Sequence, residues 1–240
     1  MAPVDLTPQA DSVSHSLAVL STVYHYNHWI FDAIRLFLGG RILEVGSGVG
    51  NITQFMLNAD RVICLEPFAA YYDYLIQRFR QHLNVSVHRL AIEQTPNDEV
   101  QSGCCDSVVC LNVLEHIADD VDALHRMKSL AADGGNVIVL VPALPCLYGT
   151  MDKAMGHLRR YSLSSLRRAF NQAGLAVVHG RYFNAIGALG WWWNGRVRKR
   201  DTIPVTATRQ FDRLVPIISA IERIVPALWG QSVLMVGKVK

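Results

Sequence analysis

Ile42-Leu43-Glu44-Val45-Gly46-Ser47-Gly48-Val49-Gly50 is the stretch that decides the fold. Strand-favouring apolar residues and one carboxylate run into glycines at 46, 48 and 50, and a helix-compatible segment, Asn51 to Asn58, follows. Glycine lets a backbone turn sharply and lets a ligand approach main-chain atoms with no Cβ in the way. The spacing discriminates between ligands. A dinucleotide fingerprint would place its third glycine at 51, to open the phosphate-binding helix. Position 51 is Asn and the third glycine is Gly50, which favours a nucleoside ligand without a pyrophosphate. The same turn would also serve any α/β protein that passes tightly from strand to helix.

The next block narrows the choice. Arg61-Val62-Ile63-Cys64-Leu65 reads as a second buried strand ending in Glu66-Pro67. A carboxylate there, about twenty residues beyond the first glycine, is placed to accept both hydroxyls of a ribose. S-adenosylmethionine is a ligand that meets both conditions.

The run ILEVGSGVGNIT, then VICLEP, then CCDSVVCLNVLEHIADDVDAL resembles the class I S-adenosylmethionine-dependent methyltransferases over about residues 40 to 145. The block from Pro142 to about Gly195 resembles a small-molecule bacterial branch with an Asp, Gly-His, Arg-Arg-Tyr signature after strand five. The resemblance implies a Rossmann-like α/β fold: a mostly parallel seven-stranded sheet of order 3-2-1-4-5-7-6, strand seven antiparallel, flanked by helices. It also implies N-terminal cap helices, an insertion before the last strand, and S-adenosyl-L-methionine as cofactor, leaving as S-adenosyl-L-homocysteine.

Composition agrees with one compact domain. The chain has 240 residues, 50% hydrophobic and 18% charged, which excludes a disordered protein. Its net charge of +3 does not argue for nucleic acid. The five cysteines (64, 104, 105, 110 and 146) have no metal-like spacing, and no metal ligand set is read from the sequence. Such an unpatterned, odd set suits a reducing cytoplasm. Neither a signal peptide nor an apolar run long enough to span a bilayer is expected. The expected organisation is a single domain with an N-terminal helical cap (1–39), a cofactor-binding core (40–183), a substrate or lid insertion (184–229) and a final strand (230–240).

Helical spacing of Leu17, Leu20, Tyr24, Ile30, Ile34 and Leu38 predicts cap helix from about Ser14 to Leu38. Strands are expected at Arg41 to Val45, Arg61 to Leu65, Val85 to Leu90, Ser107 to Leu111, Asn136 to Val141, from Leu175 to His179, and at Ser232 to Val239. Helices are expected from Ala69 to His82, over the Ile117–Met127 stripe with Gly134-Gly135 as its stop, and from a Ser162 cap to Ala173.

Ligands in such sheets sit outside the carboxyl ends of the strands at the switch point. That rule gathers Glu44, Gly46, Ser47, Gly48, Gly50, Glu66, Pro67 and Asn112 around the cofactor. Family members use the acidic residue at Glu44 to orient the glycine loop or the cofactor's ammonium; a carboxylate bonded to loop amides is the alternative. Many members carry an Asp near the end of strand three for the adenine amino group; here that position is Ala91, which leaves the Ile92 amide and Glu93. Tyr24, on the cap helix, serves as lid or as packing. Transfer from a sulfonium needs alignment above all, and a base if the acceptor is a hydroxyl or protonated amine. His157, Arg160, Tyr161 and His116 are the candidate catalytic residues, with Asp152 to orient His157.

Gly190-Trp191-Trp192-Trp193-Asn194-Gly195, followed by Arg196, Arg198, Lys199 and Arg200, suits an aromatic pocket, an oligomer contact or peripheral membrane contact. Phe211, Leu214, Ile218, Ile221, Val225 and Leu228 form an apolar stripe expected to pack on its own domain as a lid, dimerisation or membrane docking being the alternatives, with Asp212, Arg213, Glu222 and Arg223 on other faces and Pro216 and Pro226 interrupting or kinking the helix. The expected activity is methyl transfer to an oxygen or nitrogen of a small molecule, secondary-metabolite or lipid- or sugar-linked, by a monomer or homodimer without nucleic acid. The rivals are a non-catalytic S-adenosylmethionine-binding partner and a nucleic-acid methyltransferase.

Overall fold

A computed structural model describes residues 21–200, 205–225 and 227–240. Its centre is a seven-stranded sheet of order β3-β2-β1-β4-β5-β7-β6. The strands are β1 (Arg41–Val45), β2 (Arg61–Leu65), β3 (Val85–His88), β4 (Cys105–Leu111), β5 (Ala131–Pro142), β6 (Ala176–Phe183) and β7 (Ser232–Lys238). β1 to β5 pair in parallel, and β7 runs antiparallel between β5 and β6. The central strands are buried on both faces, which is why they read as largely apolar runs.

The helices are α1 (Tyr24–Ile34), α2 (Ala69–Phe79), α3 (Asp120–Leu130), α4 (Thr150–Ala154), α5 (Leu163–Gln172), α6 (Ala185–Trp192) and α7 (Val205–Ile224). One core layer joins α3 and α5 to the sheet; a second joins α1 and α7 to it. Capping follows the sequence. Asp119 accepts from the Asp122 amide at the start of α3, Ser162 from the Ser165 amide at the start of α5, and Gly174, at φ +70°, lies just past the end of α5.

Several expectations are corrected. The cap helix starts at Tyr24 within the described residues; Leu17, Leu20 and Pro226 lie outside them. Asn51 to Asn58 is not a helix but turns around a short 3-10 segment, Thr53–Phe55. The Arg78 guanidinium takes the Val49 carbonyl that a continuing helix would use. Gly134 and Gly135 lie inside β5, because α3 ends at Leu130 and Ala131 already pairs with Cys105.

The largest correction concerns α7. Asp212, Val215, Ile218 and Glu222 face the protein, while Leu214, Ile221, Val225 and Leu228 of the expected inner stripe are exposed. The buried carboxylates explain this inversion. Asp212 accepts from the Tyr26 amide in the first turn of α1 (2.8 Å), and Glu222 from the Asn184 and Ala185 amides at the start of α6 (3.0 and 2.6 Å). Helix N-termini present unpaired N–H groups and partial positive charge, so acidic residues can face inward there. Pro216 sits within α7 without ending it, on the exposed side. Packing on the opposite face and these two carboxylates outweigh a proline penalty of about 3 kcal/mol.

Candidate active site

Two adjoining cavities of about 420 Å³ each open at the carboxyl ends of the central strands, and Tyr26 and Asn112 line both. The first lies against the glycine loop. The Gly46 and Ser47 amides donate to the Leu65 carbonyl (2.8 and 3.1 Å), which binds the loop to the end of β2. Glu66 accepts from the Gly48 amide (2.7 Å) and the Phe68 amide (3.0 Å). The glycines have different reasons for being glycine. A Cβ on Gly46 would fall 2.5 Å from Val113, and one on Gly50 would fall 2.6 Å from the Phe79 ring, both at positive φ.

Gly46, Ser47, Gly48, Glu44, Glu66, Pro67, Ala91, Ile92 and Asn112 all line this first cavity. Gly50 does not: it lets the turn pack on Leu75 and Phe79 of α2. Tyr24 does not either; it is exposed and rests on Phe55 and His28, while Tyr26, two residues on, reaches the cavity. Ala91 offers no free amide, because its N–H donates to Gln94 (2.8 Å).

The lining fits a nucleoside with a charged amino-acid tail. Each Glu66 oxygen holds one backbone N–H and keeps acceptor capacity for a ribose hydroxyl. Phe68, Leu90 and Ile92 give apolar wall for a base, with Glu93 beside them. Glu44 is buried under the loop, where the Thr53 hydroxyl donates to it. Burial pushes its carboxyl up to about 7, against the hydrogen bonds from Thr53 and Ser47. A cationic group over it would restore the carboxylate.

The second cavity is largely apolar, walled by Val23, Met151, Met155, Leu189, Trp191 and Phe211, with one polar pole. That pole is Glu115, His157 and Arg160. Asp152 organises it. Its Oδ1 bonds His157 Nδ1 (2.9 Å) and accepts from Arg160 Nε (2.7 Å), and its Oδ2 accepts from the Gly149 amide (3.0 Å). Burial opposes ionisation of Asp152, but the His157 bond and the Arg160 charge outweigh it and hold the carboxyl below its ordinary value. With the carboxylate on Nδ1, the ring places the proton there and turns the Nε2 lone pair towards the cavity. Arg160 also donates to the Ala143 carbonyl (2.9 Å) and stacks on the Trp191 ring at 4.6 Å.

Glu115 faces that lone pair. Its Oε1 lies 4.0 Å from His157 Nε2, the side chain is fully buried, and neither oxygen has a hydrogen-bond partner among the described residues. Burial drives its carboxyl up to about 8, with the Arg160 charge acting against the rise. A buried carboxyl without a partner, facing an imidazole nitrogen, defines a place for a polar group or a cation. His116, the next residue, lines the first cavity, and its ring meets that of His157 edge-on at 4.9 Å. Glu115, His116 and His157 each offer one ligand atom, all within 4.8 Å of one another.

Of the four expected catalytic residues, His157 and Arg160 line the second cavity and His116 the first. Tyr161 lines neither. Its hydroxyl donates to Asp120 (2.8 Å) and its backbone bridges Pro142 and Leu144, so it fixes the loop that carries His157. Sequence reasoning missed Glu115. The available signal was a carboxylate three residues after Asn112, just beyond the end of β4. It also missed Asn184, whose backbone adopts φ +62° at the head of α6 and whose side chain accepts from the Gly187 amide.

A parallel sheet with an antiparallel seventh strand, a glycine loop and a ribose-competent carboxylate define a class I S-adenosylmethionine-dependent methyltransferase. A family model described as a methyltransferase domain matches residues 24–180, more than half of the chain, and the protein belongs to that family. Among curated protein sequences nothing matches. Solved structures share the fold at low identity. Geranyl diphosphate C-methyltransferase from Streptomyces coelicolor A3(2), bound to Mg²⁺, geranyl-S-thiolodiphosphate and S-adenosyl-L-homocysteine, is 13% identical with a TM-score of 0.66, over 97% of this chain and 82% of that one. A geranyl diphosphate methyltransferase in complex with S-adenosylmethionine is 11% identical with a TM-score of 0.64, over 98% and 93%. The YcgJ protein from Bacillus subtilis is 13% identical with a TM-score of 0.59, over 89% and 98%.

Proposed function

We propose that the protein methylates an oxygen or nitrogen of a small acceptor with an apolar body, lipid- or sugar-linked, in biosynthesis in the cytoplasm. The observation that carries this reading is the Glu115 carboxyl, without a hydrogen-bond partner among the described residues, facing His157 Nε2 where the two cavities adjoin. S-adenosylmethionine bound along the glycine loop supplies an electrophilic methyl group on a sulfonium. The acceptor's apolar body fills the space among Met151, Met155, Leu189 and Trp191, and its hydroxyl or amine stands between Glu115 and His157. His157 Nε2 takes the acceptor's proton while Asp152 stabilises the resulting imidazolium. The acceptor's lone pair forms the new bond to methyl carbon, and the electron pair of the broken S–C bond stays on a neutral thioether. Most of the rate gain comes from alignment and exclusion of water. The test is incubation with isotopically labelled donor and fractionated cell extract. The wild type should label a small-molecule or lipid fraction and His157→Ala should not; label confined to nucleic acid would refute the reading.

A second reading rests on the same pole. Two imidazoles and a carboxylate suit a first-row divalent cation, and Asp152 on His157 Nδ1 is the outer carboxylate such a ligand commonly has. A cation there would polarise an acceptor oxygen in place of the histidine base. Turnover lost to a chelator and restored by a divalent cation selects this version; turnover indifferent to chelator selects the metal-free base.

A further inference from the structure

The orientation of α7 leaves an apolar face that no described residue covers. Leu214, Ile217, Ile221, Ile224 and Val225 are all at least half exposed, from 54% at Leu214 to 82% at Ile224. From α6 and its π-helical continuation, Leu189, Trp192 and Trp193 are exposed as well. The two sets are continuous, because Ile186 of α6 meets Ile221 of α7 and Val225 just past its end around one apolar depression. Patches of this kind on a polar-rimmed surface mark an interaction site.

Charge names the occupant. Arg196, Arg198, Lys199, Arg209, Arg213 and Arg223 are exposed around this face, whereas the acidic residues of its described part, Asp212 and Glu222, are both buried. Helical periodicity sets Arg209, Arg213 and Arg223 to one side of the apolar band on α7. Arg198 lies against the Trp193 ring at 5.9 Å. Apolar side chains flanked by tryptophan and exposed basic residues suit the boundary of an anionic bilayer. Among the described residues no helix is long and apolar enough to cross a membrane. Contact would therefore be in the plane of the surface. The acceptor cavity is walled by Leu189 and Phe211 of these same two helices.

We propose that this α6–α7 face docks the enzyme on an anionic membrane surface, from which an amphipathic acceptor enters the second cavity. The proposal gives the acceptor reading above its lipid source and rests on that reading only for the entry step. The test uses the full-length protein and phosphatidylcholine vesicles with and without anionic phosphatidylglycerol, followed by co-sedimentation and tryptophan emission. Binding should require the anionic lipid, weaken with salt and shift the emission to the blue. Arg198→Ser with Arg213→Ser should weaken partitioning by about fivefold per neutralised charge. Trp193→Ser with Ile221→Ser should abolish it, and calorimetric S-adenosylmethionine binding should persist in both variants as the sign of an intact fold. Absence of vesicle binding by the wild type overturns the proposal. So does a concentration-dependent dimer that Trp193→Ser and Ile221→Ser dissociate. Vesicle binding together with methylation of only water-soluble, non-amphipathic acceptors would keep the docking face and refute the entry step alone.

Discussion

Replacing Glu115 with Gln should make the ligand-free protein more stable while removing its activity. The side chain is fully buried with no hydrogen-bond partner among the described residues, and burial lifts its carboxyl from 4.5 to about 8. In the folded state the group therefore holds a proton through neutral pH that the unfolded chain releases above about pH 4.5. A raised folded pKa contributes stability that is fully present below the unfolded value and is lost as pH rises through the folded one. At pH 7 the difference spans about 2.5 units, which at 1.36 kcal/mol per unit is on the order of 3 kcal/mol. Glutamine keeps the shape and cannot ionise, so it removes this penalty. Urea unfolding of both proteins from pH 4.5 to 8 measures it. The stability gap should open steadily with pH in favour of Glu115→Gln, while methyl transfer falls by at least tenfold. A gap that stays flat with pH, or a variant that keeps full turnover, refutes the assignment of Glu115 as a group held in wait for a ligand.

Three further outcomes are expected. His157→Ala should lower turnover by about 10²–10⁴-fold, the usual contribution of a positioned base, with S-adenosylmethionine affinity unchanged by calorimetry. Asp152→Asn should reproduce part of that loss by releasing the Nδ1 proton from its partner, seen as a lower kcat with little change in KM. Glu222→Ala orphans the amides of Asn184 and Ala185 and should destabilise the fold by about 1–3 kcal/mol per orphaned donor, read from urea denaturation midpoints.

The sheet was legible because its strands carry their own signals: largely apolar runs at β1, β2 and β4, each ending at glycine or a polar residue. The first cavity was legible for the same reason, since Gly46, Gly48 and Glu66 are neighbours through strand pairing that the sequence pattern predicts. The acceptor pole was legible only in part. Glu115 and His157 lie 42 positions apart in the chain, and what joins them is the Leu158 amide bonded to the Glu115 carbonyl (2.9 Å), a tertiary contact with no local pattern. The periodicity of α7 was informative only in part: Ile218 and Phe211 pack on the core, whereas Leu214, Ile221 and Val225 do not. Hydrophobic spacing locates an apolar face without saying what covers it, and here two carboxylates spent on the N-termini of other helices turned that face outward.

Calorimetric titration of the wild type and Glu66→Ala with S-adenosyl-L-homocysteine and with NAD tests the central claim most directly. The account predicts one site for S-adenosyl-L-homocysteine, weakened by about 1–3 kcal/mol in Glu66→Ala, and negligible NAD binding. Tighter binding of NAD, or unchanged affinity in the variant, would contradict it.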